Sequence, residues 1–184
     1  MGNLVMLSNI DEHLDQELEY RIRHIVSKKG FILGYIPSQY DPTKFYFNRM
    51  KPHLDRFGFK KYLYFDIDEE YTPQNLEKLS QCDAIYLSGG NTYYFLKNLR
   101  SRNMLSFLRD YMGKGGLLIG VSAGAMMISP TISVAQFLDP NEVGLSDLNA
   151  LDLASIHFLP QSDRISNGKD VKSFADQSLI PLFM

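Results

Sequence analysis

Five short apolar runs, residues 4–7, 31–36, 62–65, 84–87 and 117–119, alternate with longer stretches of helical periodicity. This alternation leaves few folds open. Strands this short and this apolar are buried on both faces, and parallel strands joined by crossover helices meet that condition. The expectation is an α/β fold: one mostly parallel sheet with helices on both faces, forming a single domain over residues 1–184. Ligands of such sheets gather at the carboxyl ends of the strands.

Between the runs, residues 12–27 place Leu14, Leu18, Ile22, Ile25 and Val26 at helical spacing. Residues 45–57 read as a helix in which Pro52 predicts a kink or break. Thr72 and Pro73 predict a capped helix start, and residues 93–112 read as helical throughout. After Ser129 the helical pattern stops. Residues 130–134 look extended, Asp139-Pro140-Asn141 signals a turn, and residues 153–158 form a plausible strand. The apolar end, residues 179–184, reads as one more strand or as a segment docked on the sheet.

The fifth run leads into Gly120-Val121-Ser122-Ala123-Gly124, followed by Ala125, Met126 and Met127. That is strand, sharp turn and helix, with a serine at the apex. Glycines permit the tight turn, and the helix behind Ser122 aims backbone N–H groups at the same point, which favours developing negative charge. A serine nucleophile also needs a base, a group that orients the base, and oxyanion donors. His157 is the only histidine downstream of Ser122 and is the expected base. Asp139, Glu142, Asp147 and Asp152 lie between them, and Asp139 is the preferred orienting acid. The expected oxyanion donors are the N–H of Ala123 and that of Gly90, in the glycine turn after the fourth run.

Composition narrows the alternatives. With 45% hydrophobic and 22% charged residues, the chain has the profile of an ordinary soluble globular protein. A net charge of −2 gives no reason to expect a nucleic-acid partner; Lys28-Lys29 and Lys60-Lys61 are short pairs rather than a basic patch. Cys82 is the single cysteine, so no internal disulfide forms, in keeping with a cytoplasmic location, and a small buried hydrophobe is its expected role. The four histidines are scattered and none sits in a zinc-binding His-Glu-x-x-His arrangement, so neither a metal nor a cofactor is expected. The N-terminus lacks a charged leader and reads as a first strand, and no apolar run has transmembrane length.

Gly89-Gly90-Asn91-Thr92, then Gly-x-Ser122-Ala123-Gly124-Ala125, Pro130-Thr131-Ile132 and His157-Phe158, in this order, resemble the peptidase E family of serine peptidases. That family includes aspartyl dipeptidases and cyanophycinases, and it shares its fold with class I glutamine amidotransferases. The resemblance spans residues 4–158. It implies Ser122 as nucleophile, His157 as base, Gly90 and Ala123 as oxyanion donors, and Asn91 near the substrate. Two departures stand out. Aligning Asp139-Pro140-Asn141 with the family segment beyond the acid puts the acid's place near Phe137, leaving Glu142 or an incomplete triad as alternatives. Ile156 stands where the family has a proline before the histidine.

The expected function is a serine peptidase acting on small peptides, with Asp-X dipeptides as the class that the resemblance suggests. Arg164 is a candidate cation for such a substrate, and a homodimer is compatible with this reading. The alternatives are a non-catalytic binding or regulatory protein on the same fold, and a small serine esterase. Against the esterase, only 62 residues follow Ser122, too few for the several βα units that an α/β-hydrolase places there. No upstream His-Gly-Gly-type loop is present either.

Overall fold

A computed structural model describes residues 2–11, 14–165 and 168–184. Its centre is a five-stranded, wholly parallel sheet. The strands are β1 (Asn3–Leu7), β2 (Ile32–Ile36), β3 (Lys61–Tyr64), β4 (Ala84–Leu87) and β5 (Leu117–Val121), in spatial order β1-β5-β4-β2-β3. β5 pairs with β1 from Asn3↔Leu117 to Leu7↔Val121, and with β4 from Ala84↔Leu117 to Leu87↔Gly120.

Both faces are covered, as the apolar strands require. On one face, Leu33, Tyr35, Tyr86 and Ile119 pack against Ile22 and Val26 of α1 (Gln16–Lys29) and Leu54 and Phe57 of α2 (Phe45–Phe57). On the other, Ile36, Ile85, Leu87 and Leu118 meet the buried sides of α3 (Pro73–Ser80), α4 (Thr92–Ser101), α5 (Met104–Gly113) and α6 (Ala123–Met126).

Local signals account for the helix ends. Asp15 caps α1 by accepting from Leu18 N at 2.9 Å, so the helix begins at Gln16. The expected earlier start at Glu12 lies, with His13, outside the described residues. Thr72 caps α3 with Pro73 in its first turn, as the sequence predicts. Pro52 does not break α2; it sits on the exposed face and the helix runs through it. The single helix expected over residues 93–112 is two, because Asn103 takes a left-handed conformation (φ 54°) between α4 and α5. Asparagine is one of the few side chains that tolerates this region.

Beyond α6 the chain departs further from expectation. Residues 130–134 are not a strand: Thr131 makes one antiparallel bridge with Asn149, and Ser133–Phe137 is a 3-10 helix. Residues 153–156 are irregular, and only β6 (His157–Phe158) is extended. After α7 (Gly168–Gln177), β7 (Leu182–Phe183) pairs in parallel with β6 in a separate two-stranded sheet, so the C-terminal segment does not join the central sheet. The stretch just before the irregular segment, residues 147–151, is fixed by side chains of the helices. Arg100 donates to the carbonyls of Asp147 and Asn149, each at 2.7 Å, and Arg109 to those of Ala150 and Leu151 at 2.7 and 2.9 Å.

Candidate active site

β5 is buried along its whole length and ends in Ser122, whose φ of 53° and ψ of −115° lie in a sparsely populated region for a non-glycine residue. Such a conformation costs on the order of 1–3 kcal/mol and persists only where the surroundings impose it. Here they do. Ser122 N donates to Leu7 O at 2.9 Å, fastening the turn to the end of β1. The flanking glycines are required by close approach: a Cβ on Gly120 would stand 2.4 Å from Gly124 O, and one on Gly124 would stand 2.1 Å from Leu87 O. Gly124 N donates to Ser88 O at 3.0 Å, tying the start of α6 to the end of β4.

The second glycine turn, after β4, lies directly against the first. A Cβ on Gly89 would touch Ser122 Cβ at 3.4 Å. Gly90 has φ +132°, and a side chain there would collide with Ser38 Oγ at 2.1 Å. Asn91 caps α4, its Oδ1 accepting from Tyr93 N and Tyr94 N at 3.0 Å while its Nδ2 donates to Pro140 O at 3.0 Å. Asn91 borders the cleft, and both polar atoms of its side chain are already engaged. The N–H groups of Gly90 and Ala123 donate to no acceptor among the described residues.

Ser122, Gly89, Gly90, Gln161 and Arg164 line one cleft of about 960 Å³ at the carboxyl edge of the sheet. Tyr35, Tyr64 and Tyr86 border it, stacked at ring separations of 5.7 and 4.9 Å about Tyr35. Burial pushes all three phenols above their usual range, so they remain neutral at physiological pH. A groove of equal volume along α1, lined among others by Glu19, Arg23 and Arg56, is ion-paired surface lying away from both glycine turns.

His157 is buried, and its backbone N donates to Pro181 O at 2.8 Å in the β6–β7 ladder. β6 packs on α6, and Phe158 N donates to Ser129 Oγ at 3.2 Å. The imidazole packs edge-on against Phe174 (5.3 Å between centroids), and Phe174 in turn against Phe137 (5.8 Å). Its Nδ1 has no hydrogen-bond partner among the described residues. Burial pulls the imidazole below the usual histidine value, with the Thr131 backbone opposing. His157 is not among the residues lining the cleft, and it makes no hydrogen bond to Ser122. The group on Ser122 Oγ is instead Gln161, whose Nε2 donates to it at 3.2 Å.

Asp139, the preferred orienting acid, makes no hydrogen bond to the histidine. Its Oδ2 accepts from Thr92 N at 2.9 Å and from Thr92 Oγ1, so the carboxylate caps α4. Its partners are backbone and hydroxyl donors that an N-terminal turn leaves open, and these hold it there. Asp147 pairs with Arg100 at 3.1 Å, and Glu142 and Asp152 are exposed. Among the described residues no carboxylate hydrogen-bonds the His157 ring, and Phe174 stands against that ring.

The sequence reading missed Gln161. It lies four residues beyond His157 in a left-handed conformation (φ 52°), with its N–H donated to Ser8 Oγ at 2.7 Å. No motif marks a lone glutamine after a two-residue strand. The role of Thr92 was equally hidden, since an acid 47 positions away completes its cap.

Comparison with known proteins bears on this arrangement. The model of peptidase family S51 matches residues 4–178. An uncharacterized peptidase of Listeria monocytogenes is 32% identical over 164 residues, covering 87% of this chain and 78% of the relative. Peptidase E of Salmonella arizonae is 33% identical over 92 residues, covering 50% of this chain and 38% of the relative. Among solved structures, a Listeria monocytogenes protein named as a candidate peptidase E superposes with a TM-score of 0.75 at 27% identity, covering 95% of this chain and 85% of that one.

Proposed function

This chain belongs to peptidase family S51 and is a peptidase; on that premise we propose that it hydrolyses small peptides in the cytoplasm with Ser122 as nucleophile. The observation that carries the proposal is the strained Ser122 turn beside two unused donors, the N–H groups of Gly90 and Ala123. A conformation kept at a cost, at the carboxyl edge of a parallel sheet and bordering a cleft, fits a functional role better than a packing one.

In this reading His157 is the base. Its lowered pKa keeps the imidazole neutral, the form that accepts a proton, through the physiological range. The Ser122 hydroxyl leaves Gln161, passes its proton to His157, and Oγ bonds to the scissile carbonyl carbon. The resulting oxyanion accepts from Gly90 N–H and Ala123 N–H. Collapse of the tetrahedral species breaks the C–N bond, and His157 returns the proton to the leaving amine. Water then hydrolyses the acyl-serine by the same route. Catalytic hydrogen bonds are often long in a free enzyme and tighten in the substrate complex, so His157 reaches Ser122 only once Gln161 has moved. The pair works as a dyad, with packing against Phe174 in place of a carboxylate. Asp-X dipeptides are the substrate class, with Arg164 at the cleft as the cation for the aspartate side chain.

A panel of dipeptides including Asp-X, together with p-nitrophenyl esters, tests this with the wild type and Ser122→Ala. Peptide turnover abolished in Ser122→Ala is expected. Ester turnover alone identifies an esterase, and no serine-dependent turnover identifies a binding protein. The lack of a carboxylate on the His157 ring among the described residues and the occupied Ser122 Oγ are the observations that favour the latter.

A further inference from the structure

We infer that Asp139 is a positioning residue for the oxyanion turn, acting through Thr92 on Gly90, rather than a member of the catalytic triad. This rests on the reading of Ser122 as nucleophile. The turn Gly89-Gly90-Asn91 enters α4, whose first three N–H groups are all taken: Thr92 N by Asp139 Oδ2, and Tyr93 N and Tyr94 N by Asn91 Oδ1. Asp139 also accepts from Thr92 Oγ1, and Thr92 is wholly buried. Asn91 Nδ2 answers by donating to Pro140 O at 3.0 Å. Two consecutive residues of one loop, Asp139 and Pro140, therefore grip two consecutive residues of the other, Asn91 and Thr92. The N–H of Gly90, one residue before the clamp, has no acceptor among the described residues.

The clamp matters because it holds the far side of the turn: on the near side Ser88 Oγ donates to Gly89 O at 2.9 Å, on the peptide that carries the Gly90 N–H, and Asp139 with Pro140 grips Asn91 and Thr92 beyond it. Gly90 itself has φ +132° and no side chain of its own to anchor it, and glycine moves readily between alternatives. An oxyanion donor acts only when held in place beforehand, and a misplacement of about 1 Å can cost a hundredfold in rate. Asp139 supplies the helix-side part of that constraint from outside the cleft. As an anion at the N-terminus of α4 it is also favoured by the helix dipole. Its contact with Thr92 rather than His157 makes the two roles separable by chemistry. Asparagine caps a helix about as well as aspartate, whereas it does not replace a triad carboxylate.

The test is the rate at which an alkyl fluorophosphonate labels Ser122. In that reaction Oγ bonds to phosphorus, fluoride leaves, the proton goes to His157, and the phosphoryl oxygen occupies the oxyanion position. Peptide kcat and KM are measured alongside. Asp139→Ala is expected to slow labelling and lower kcat roughly ten- to hundredfold, with KM changed little. Asp139→Asn is expected to stay within about threefold of wild type with an unaltered pH profile. Thr92→Val, which loses the hydroxyl donor and keeps the shape, should fall between them, and it carries the test if Asp139→Ala does not fold. Labelling of Asp139→Ala or Thr92→Val at the wild-type rate overturns this inference alone. A loss of several thousandfold in Asp139→Asn with a shifted pH profile restores the triad role and also overturns it. Absence of labelling in the wild type removes the Ser122 reading itself and this inference with it.

Discussion

Gln161 Nε2 donates to Ser122 Oγ at 3.2 Å, while the imidazole of His157 rests against Phe174 with its Nδ1 unpartnered among the described residues. The serine is thus held by an amide, which neither activates it nor takes its proton. In the proposed mechanism, catalysis requires exchange of Gln161 for His157 at the same oxygen. One hydrogen bond of this kind contributes about 1 kcal/mol, so Gln161→Ala should label with fluorophosphonate roughly fivefold faster than wild type. A tenfold slower rate would instead make Gln161 a contributor to the reaction.

Burial lowers the His157 pKa from the ordinary 6.5, with a sign that stability measurements can read. The unfolded chain takes up the proton near pH 6.5, while the folded chain resists it to lower pH. Stability from this group is therefore complete above pH 6.5 and is lost as the pH falls through the folded value. Melting temperatures of the wild type and His157→Gln, followed from pH 7.5 to 5, should show a decline on acidification that the variant lacks. Parallel curves would contradict it. The acid limb of peptide turnover should likewise lie below pH 6.5.

The strain at Ser122 predicts a trade of activity against stability. Ser122→Gly removes the proposed nucleophile and relieves a backbone conformation that glycine adopts freely. It should be inactive yet more stable than wild type by about 1 kcal/mol, read from chemical denaturation. Ser122→Ala keeps the strain and should show no such gain. Equal stability of the two variants would argue that the turn is relaxed.

Two glycines should respond in opposite ways. A Cβ on Gly124 would sit 2.1 Å from Leu87 O, against backbone that cannot give way, whereas one on Gly113 meets nothing within 4 Å. Gly124→Ala should cost at least 3 kcal/mol, of the order seen for severe overpacking, and lose the fold or the activity. Gly113→Ala, at the end of α5, should gain about 0.5 kcal/mol.

The five strands of the central sheet and both glycine turns were legible because each is written in consecutive residues. Buried parallel strands are apolar throughout, and a turn this tight needs glycine at fixed positions. Pro52 misled because a proline on the exposed side of α2 is tolerated. The region after Ser129 was read poorly for a different reason. Part of it, residues 147–151, is held by Arg100 and Arg109, which reach its carbonyls from some 40 to 50 residues upstream. Asp139 illustrates the same limit. Its position between Ser122 and His157 suits a triad acid, yet its partner is Thr92 on another element. Phe137, which the alignment placed where an acid was sought, does lie on the histidine's side, joined to it through the Phe174 ring.

The central claim, that Ser122 is the nucleophile of a peptidase, is tested most directly by mapping a fluorophosphonate adduct. The protein is treated, digested and sequenced by mass spectrometry. The account predicts one adduct per chain on the peptide containing Ser122, absent from Ser122→Ala and prevented by saturating peptide substrate. No adduct, or an adduct on another serine such as Ser88 or Ser38 in the same cleft, would contradict it.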